Sequence, residues 1–203
     1  MNTVVTSKTE ILEASRELIR RKGWSAVSIR SVAAACGVSV GSIYNYFDSK
    51  AALMSATVES VWCEIFHRPE EDPIFQDTLA CVSWIYRRMA DGCRQYPSFF
   101  TLHSLGFLGE DKSDARQKME QTWQHMRNGL CSVLKRDPQV RPEAFTGSFT
   151  PERFADVLFS LLLSALLRQD YDPAAVLEII RRTLYETSKE RSMKYAGNHG
   201  NTV

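Results

Sequence analysis

The stretch from Ser28 to Lys50 constrains this chain more than any other. Two serines that can start helices, Ser28 and Ser39, stand on either side of Gly37. A serine ahead of a helical run caps it by accepting a backbone N–H. A glycine just past a helix end takes the left-handed backbone that other residues resist. The pattern predicts two short helices joined by a tight turn. Ile29, Val32 and Ala33 share one face of the first, and Ile43 and Phe47 point one way from the second. The second helix starts with small and hydroxyl-bearing residues and ends near two tyrosines. That surface suits close approach to a nucleic-acid backbone.

The rest of the chain also reads as helical, with no run of period two between hairpin turns. Ser7-Lys8-Thr9-Glu10 has the form of a capping box. It opens a helix carrying Ile11, Leu12, Ser15, Leu18 and Ile19, which Gly23 ends. Trp24 and Val27 are expected to fill the gap before the second helix. Asp48 or Ser49 opens a fourth helix reaching Pro69. Further helices are expected over about 75–95, 98–108 and 114–136. The eighth begins at Thr150-Pro151-Glu152 (a cap, a proline at the first position and an acid in the first turn) and runs to about Gln169. The ninth runs from Asp172-Pro173 to about Lys189. The expected fold is all-α with about nine helices. Residues 1–50 would form a DNA-binding domain, 51–191 a larger ligand-binding and dimerisation domain, and 192–203 a disordered tail.

Charge supports this division. The chain has 203 residues and a net charge of only +1, which argues against a protein that coats RNA. Residues 1–50 carry seven Lys/Arg against four Asp/Glu, whereas 51–203 carry 18 against 20. A modestly basic head on a near-neutral body fits a local DNA contact. The five cysteines are scattered, with neither zinc spacing nor a disulfide framework. Reduced thiols, a cytoplasmic location and no metal or cofactor are expected. No cationic leader precedes an apolar segment. The apolar run from Val157 to Leu167 is about half the length that spans a bilayer, so no membrane partner is expected.

A three-helix unit with a short second turn is a helix-turn-helix, whose last helix enters the major groove. Ser39 and Ser42 are small donors, and Gly41 lets the backbone come near phosphates or bases. Val40 can meet a thymine methyl, and Asn45 has the edge that pairs with adenine. Tyr44 and Tyr46 can donate to phosphate oxygens. Lys50 in the first turn of the fourth helix makes a phosphate clamp, and Ser28 and Arg30 could act likewise. At these residues the chain resembles the tetracycline-repressor-like (TetR) family of bacterial transcription regulators. The resemblance runs from Ile11 to about Leu53. It rests on Ala14, Leu18 (where phenylalanine is common), Gly23, Ser28-Ile29-Arg30, Ala33, Gly37-Val38-Ser39, Gly41, Ser42-Ile43-Tyr44, Tyr46-Phe47 and Ser49-Lys50. Val40 stands where lysine or arginine is common, Asn45 where histidine is frequent, and Ala51-Ala52 where acids are usual. These departures bear on the operator sequence rather than on the binding mode.

The resemblance implies a homodimer with a separate ligand-binding body, in which ligand shifts the fourth helix and weakens DNA binding. The body is rich in large apolar side chains, as sites for small apolar or aromatic effectors are. Trp62, Phe66, Trp84, Met89, Phe100, His103, Phe107, Trp123, Met126 and Arg127 are the candidate pocket residues. A packed helical core is the alternative for each. The eighth helix reads as apolar nearly all round and the ninth as carrying more than one apolar stripe. A twofold interface through Phe154, Leu158, Leu161, Leu162, Ala165, Ile180 and Leu184 would cover them. The function expected is a repressor that binds double-stranded DNA at a pseudo-palindromic operator and is released by a small-molecule effector. The alternatives are a ligand-binding helical protein acting through protein partners, or an enzyme with a discontinuous site. No phosphate loop, nucleophile elbow or zinc-protease motif supports the last, so an enzyme is not expected.

Overall fold

The computed structural model describes residues 6–66, 73–97, 99 and 113–186. Among these residues the chain is helical, and its one β feature is an isolated bridge between Thr146 and Phe149. The helices are α1 (Lys8–Lys22), α2 (Ile29–Cys36), α3 (Val40–Tyr44), α4 (Lys50–Ile65), α5 (Thr78–Gln95), α6 (Ser113–Arg136), α7 (Pro151–Arg168) and α8 (Ala174–Ile180). Apart from Phe99, the helix expected over 98–108 lies outside the described residues, as does the tail from 192, so α6, α7 and α8 are the expected seventh, eighth and ninth helices. Two compact units emerge. One comprises Met1–Arg68 with Arg88–Glu120, the other Pro69–Arg87 with Gln121–Val203.

In the first unit, local caps set the helix starts. The Ser7 hydroxyl accepts from the Glu10 amide at 3.2 Å, and the Glu10 carboxylate accepts from the Ser7 amide at 2.7 Å. Gly23 closes α1 at φ 78°, and Gly37 closes α2 in the left-handed region at φ 68°. Ser49, rather than Asp48, opens α4 by accepting from the Ala52 amide. Ile11 and Ile19 of α1, Ile29, Val32 and Ala33 of α2, Ile43 and Phe47 at α3, and Leu53, Val58, Val61 and Ile65 of α4 are all buried. Buried Ser15 and Thr57 each donate their hydroxyl proton to the carbonyl four residues back.

The end of α4 is held from two sides. Arg88 of α5 donates to the Glu64 carbonyl at 3.0 Å and to the Ile65 carbonyl, capping the helix with another helix's guanidinium. Gly92 lies against Ile65 so closely that a Cβ there would sit 2.8 Å from Ile65 Cδ1. From α1, Arg16 Nε and Arg20 Nη2 meet the Glu64 carboxylate at 2.6 and 2.5 Å. Burial pushes that carboxyl up, but the arginines outweigh it and hold it below its ordinary value.

The second unit turns on one buried carboxylate. Asp137, 5% exposed, follows the end of α6. It accepts from the Thr78 amide at 2.8 Å, the Gln139 amide at 2.9 Å and the Tyr185 hydroxyl at 2.5 Å. Burial pushes its pKa up, and these donors pull it below the ordinary value. Arg141 ties the same corner to the Thr183 carbonyl. The core is built from Val82 and Ile85 of α5, Leu130, Val133 and Leu134 of α6, Phe154, Leu158, Phe159, Leu162 and Leu166 of α7, and Val176 and Ile180 of α8.

Two expected boundaries in this unit are corrected. The helix expected from Phe75 starts instead at Thr78, after a 3-10 turn over Pro73–Gln76, because the Asp77 carboxylate caps it through the Ala80 amide. The last helix, expected to reach Lys189, passes into a π turn over Arg181–Tyr185 and ends at extended Glu186. Within the single chain, α7 and α8 keep some apolar surface outside. Val157 is 49% and Leu167 50% exposed, and Ile179 of α8 is 44% exposed.

Candidate nucleic-acid interface

The core decides how α2 and α3 are presented. Ile29, Val32 and Ala33 seat α2, and Ile43 and Phe47 seat α3. With those anchors inward, Val40 (40% exposed) and Tyr44 (47%), one helical turn apart, are left outside. Gly41, Asn45, Arg30 and Lys50 are exposed as well. Neither Arg30 nor Lys50 has an ion-pair partner among the described residues, so both cations remain available. Gly41 has a negative φ, and an added Cβ would meet only Ser39 Oγ, at 3.6 Å. The fold itself therefore has no need of glycine there.

The hydroxyls are less free than expected. Ser28 accepts from the Ser31 amide at 3.1 Å and shares a 2.9 Å bond with the Ser31 hydroxyl. Ser39 accepts from the Ser42 amide at 3.1 Å, and the Ser39 and Ser42 hydroxyls bond each other at 2.9 Å. Tyr46 donates its hydroxyl proton to the Thr6 carbonyl and so anchors the start of the described chain. Its hydroxyl proton, expected to serve a phosphate, is engaged by that carbonyl here. Sequence reasoning misses two contributors. Ser31 completes the α2 capping box, a role visible only as Ser-x-x-Ser. Lys8 places its ammonium 5.6 Å from the Phe47 ring centre, a long-range pairing that no local pattern announces.

The pocket candidates separate. In the first unit Trp62 (6% exposed) and Met89 (1%) are core, with Phe66 stacked on Trp62 at 5.5 Å. In the second unit Trp84, Trp123, Met126 and Arg127 are half-buried. Trp84 packs edge-on against Phe75 at 5.3 Å. Trp123 and Arg127 share Phe159, at 6.0 and 5.6 Å. The Trp123 indole N–H is buried with no acceptor among the described residues. Phe100, His103 and Phe107 lie outside the described residues. Of the interface candidates, Phe154, Leu158, Leu162, Ala165, Ile180 and Leu184 are at most 3% exposed within the single chain. Within one chain these six are core residues. Leu161 alone of that set stays half-exposed.

Residues 11–57 match the model for bacterial regulatory proteins of the tetR family. The head, residues 11–57, is thus that of a TetR-family protein. The regulator UidR of Escherichia coli K12 is 35% identical over 52 residues, 26% of either chain. The chain thus matches only about a quarter of the length of this curated relative. At the level of fold, NalD of Pseudomonas aeruginosa, described as the secondary repressor of the MexAB-OprM multidrug efflux pump, superposes with a TM-score of 0.57 at 20% identity, covering 88% of this chain and 96% of NalD. FadR of Bacillus subtilis, solved with stearoyl-CoA, gives 0.54 at 14% identity, covering 86% of this chain and 95% of FadR. These likenesses are of fold alone, and they run well beyond the matched head. Among the described residues no helix is long and apolar enough to cross a membrane, and no group of His, Cys, Asp and Glu is placed to hold a metal.

Proposed function

We propose that this chain is a homodimeric transcriptional repressor of the TetR family that binds a pseudo-palindromic operator and leaves it when a small apolar or aromatic molecule occupies the body. The observation that carries the reading is the outer face of α3. Val40, Gly41 and Tyr44 are presented where the fold makes no use of them, flanked by two cations with no ion-pair partner among the described residues, Arg30 and Lys50. Release needs only that the effector favour a state in which the heads no longer fit the DNA. NalD, a repressor of the same fold, and FadR, which holds a long acyl thioester, support repression and an apolar effector. The Trp123 N–H beside Arg127 supplies polar orientation in such a site. For the dimer, Val157, Ser160, Leu161 and Ser164 lie along one side of α7, with Leu167 at its edge. Ile179 of α8 is a further exposed apolar residue.

The test is to select a binding site from a random-sequence duplex pool and titrate salt. The logarithm of affinity is expected to fall linearly with the logarithm of salt. Lys50→Ala should flatten that slope by about one unit, the effect of one phosphate left without its cation. Failure to enrich any duplex would sink the reading.

A further inference from the structure

We infer that Val40 reads the C5-methyl group of a pyrimidine in the major groove, so that the first turn of α3 discriminates bases by apolar contact rather than by hydrogen bonds. This rests on the DNA-binding reading and narrows it.

Three observations converge. Of the six exposed large hydrophobics among the described residues, three (Val40, Tyr44 and Tyr46) fall within seven positions of one another, at 40–47% exposure. Tyrosine carries a polar tip that explains its exposure. Valine has none, and a β-branched residue is a poor helix former, so the fold gains nothing from Val40 there. Second, the hydrogen-bonding groups of the same turn are committed. Ser39 accepts from the Ser42 amide, and the two hydroxyls bond each other at 2.9 Å, which leaves one hydroxyl proton between them. One proton cannot make the two-point match that separates base pairs by hydrogen bonding. Third, Gly41 beside Val40 offers no side chain to hold a base edge away. What remains in reach is a branched apolar side chain, and the apolar feature of the major groove is the C5-methyl of thymine. A 5-methylcytosine offers the same group in the same place.

The experiment uses the full chain and the duplex selected from the random pool. Each thymine is replaced singly by uracil, which removes the methyl and keeps both hydrogen-bonding edges. One position in each half-site is expected to weaken wild-type binding by about four-fold, the value of one buried methyl group. Val40→Ala should bind the thymine duplex about four-fold more weakly and be indifferent to uracil there, while Val40→Thr, which keeps one methyl, retains part of the response. At that position cytosine and 5-methylcytosine separate the sources. If the methyl is read in either base, methylating the cytosine recovers about four-fold in wild type and nothing in Val40→Ala. If only thymine is read, methylation recovers nothing while the uracil response stands. Val40 is exposed, so the variants should melt with wild type, which checks that the fold is intact. The inference is overturned if no thymine-to-uracil change affects wild type more than Val40→Ala, a result that leaves DNA binding itself standing. Absence of any selected duplex overturns both.

Discussion

Two residues carry consequences out of proportion to their size. Gly41 would bring an added Cβ against Ser39 Oγ alone and has ordinary helical geometry. Gly41→Ala should therefore leave the melting temperature unchanged or raise stability by up to about 1 kcal/mol, since alanine is the better helix former. The added methyl should nonetheless weaken binding of the selected duplex about ten-fold or more, because an intruding methyl at a close contact costs about 1–3 kcal/mol. Reduced stability with unchanged binding would refute that assignment. Asp137 is the converse case, a residue for the fold alone. Asp137→Ala strands the Thr78 and Gln139 amides and the Tyr185 hydroxyl, and should cost about 3 kcal/mol in chemical denaturation. Its carboxyl is held below the ordinary value, so its stabilisation is complete above the unfolded pKa of about 3.9 and is lost as pH falls through the folded one. The stability gap between wild type and Asp137→Asn should accordingly be full near neutrality and close in acid below about pH 4. A gap that is constant with pH would remove the charge from the argument. Neither role is legible locally. Gly41 reads as a glycine in a helix, and Asp137 gains its meaning from Thr78 and Tyr185, each tens of positions away.

At the scale of elements, α4 and the end of α5 are fitted together through Gly92 and Ile65. Gly92→Ala adds a methyl 2.8 Å from Ile65 Cδ1 in a side chain that is 1% exposed. Overpacking of this kind costs about 1–3 kcal/mol, which exceeds the gain in helix propensity. The expected outcome is net destabilisation, relieved when Ile65→Val is added, so that the double variant is more stable than the sum of the singles. Additive effects would show that the two side chains do not meet. The helix starts themselves are legible from sequence. Ser7, Ser28, Ser39, Ser49 and Thr150 each cap the helix that follows, accepting from the amide three residues on. Where a boundary shifts, a competing local bond explains it, as Asp77 does for α5. Trp62 and Phe66 read as pocket lining in sequence, whereas in the fold Trp62 stacks on Phe66 and packs against Phe99. Composition cannot separate a lined cavity from a packed core, since both draw on the same side chains.

For the whole molecule, the apolar surface that α7 and α8 keep outside the single chain bears on assembly. Val157→Glu with Ile179→Glu should reduce the sedimenting mass to that of one 23.1 kDa chain while leaving helical content intact. A wild type that sediments as a monomer, or a variant that stays dimeric, would exclude this face as the interface. The same charges placed at Leu158 or Ile180 should unfold the protein instead, because both are at most 1% exposed within one chain. What the sequence determined by itself is the helical class, the caps, the glycine turn and the TetR-like head. Each depends on hydrogen bonds and periodicity within a few residues, and so survives without knowledge of neighbours. Only the tertiary structure decided which apolar residues are left over, which hydroxyls are already spent and which carboxylate ties distant segments. Those depend on what each side chain meets across the fold: an apolar residue reads alike in sequence whether another helix covers it, as with Leu158, or nothing does, as with Val40.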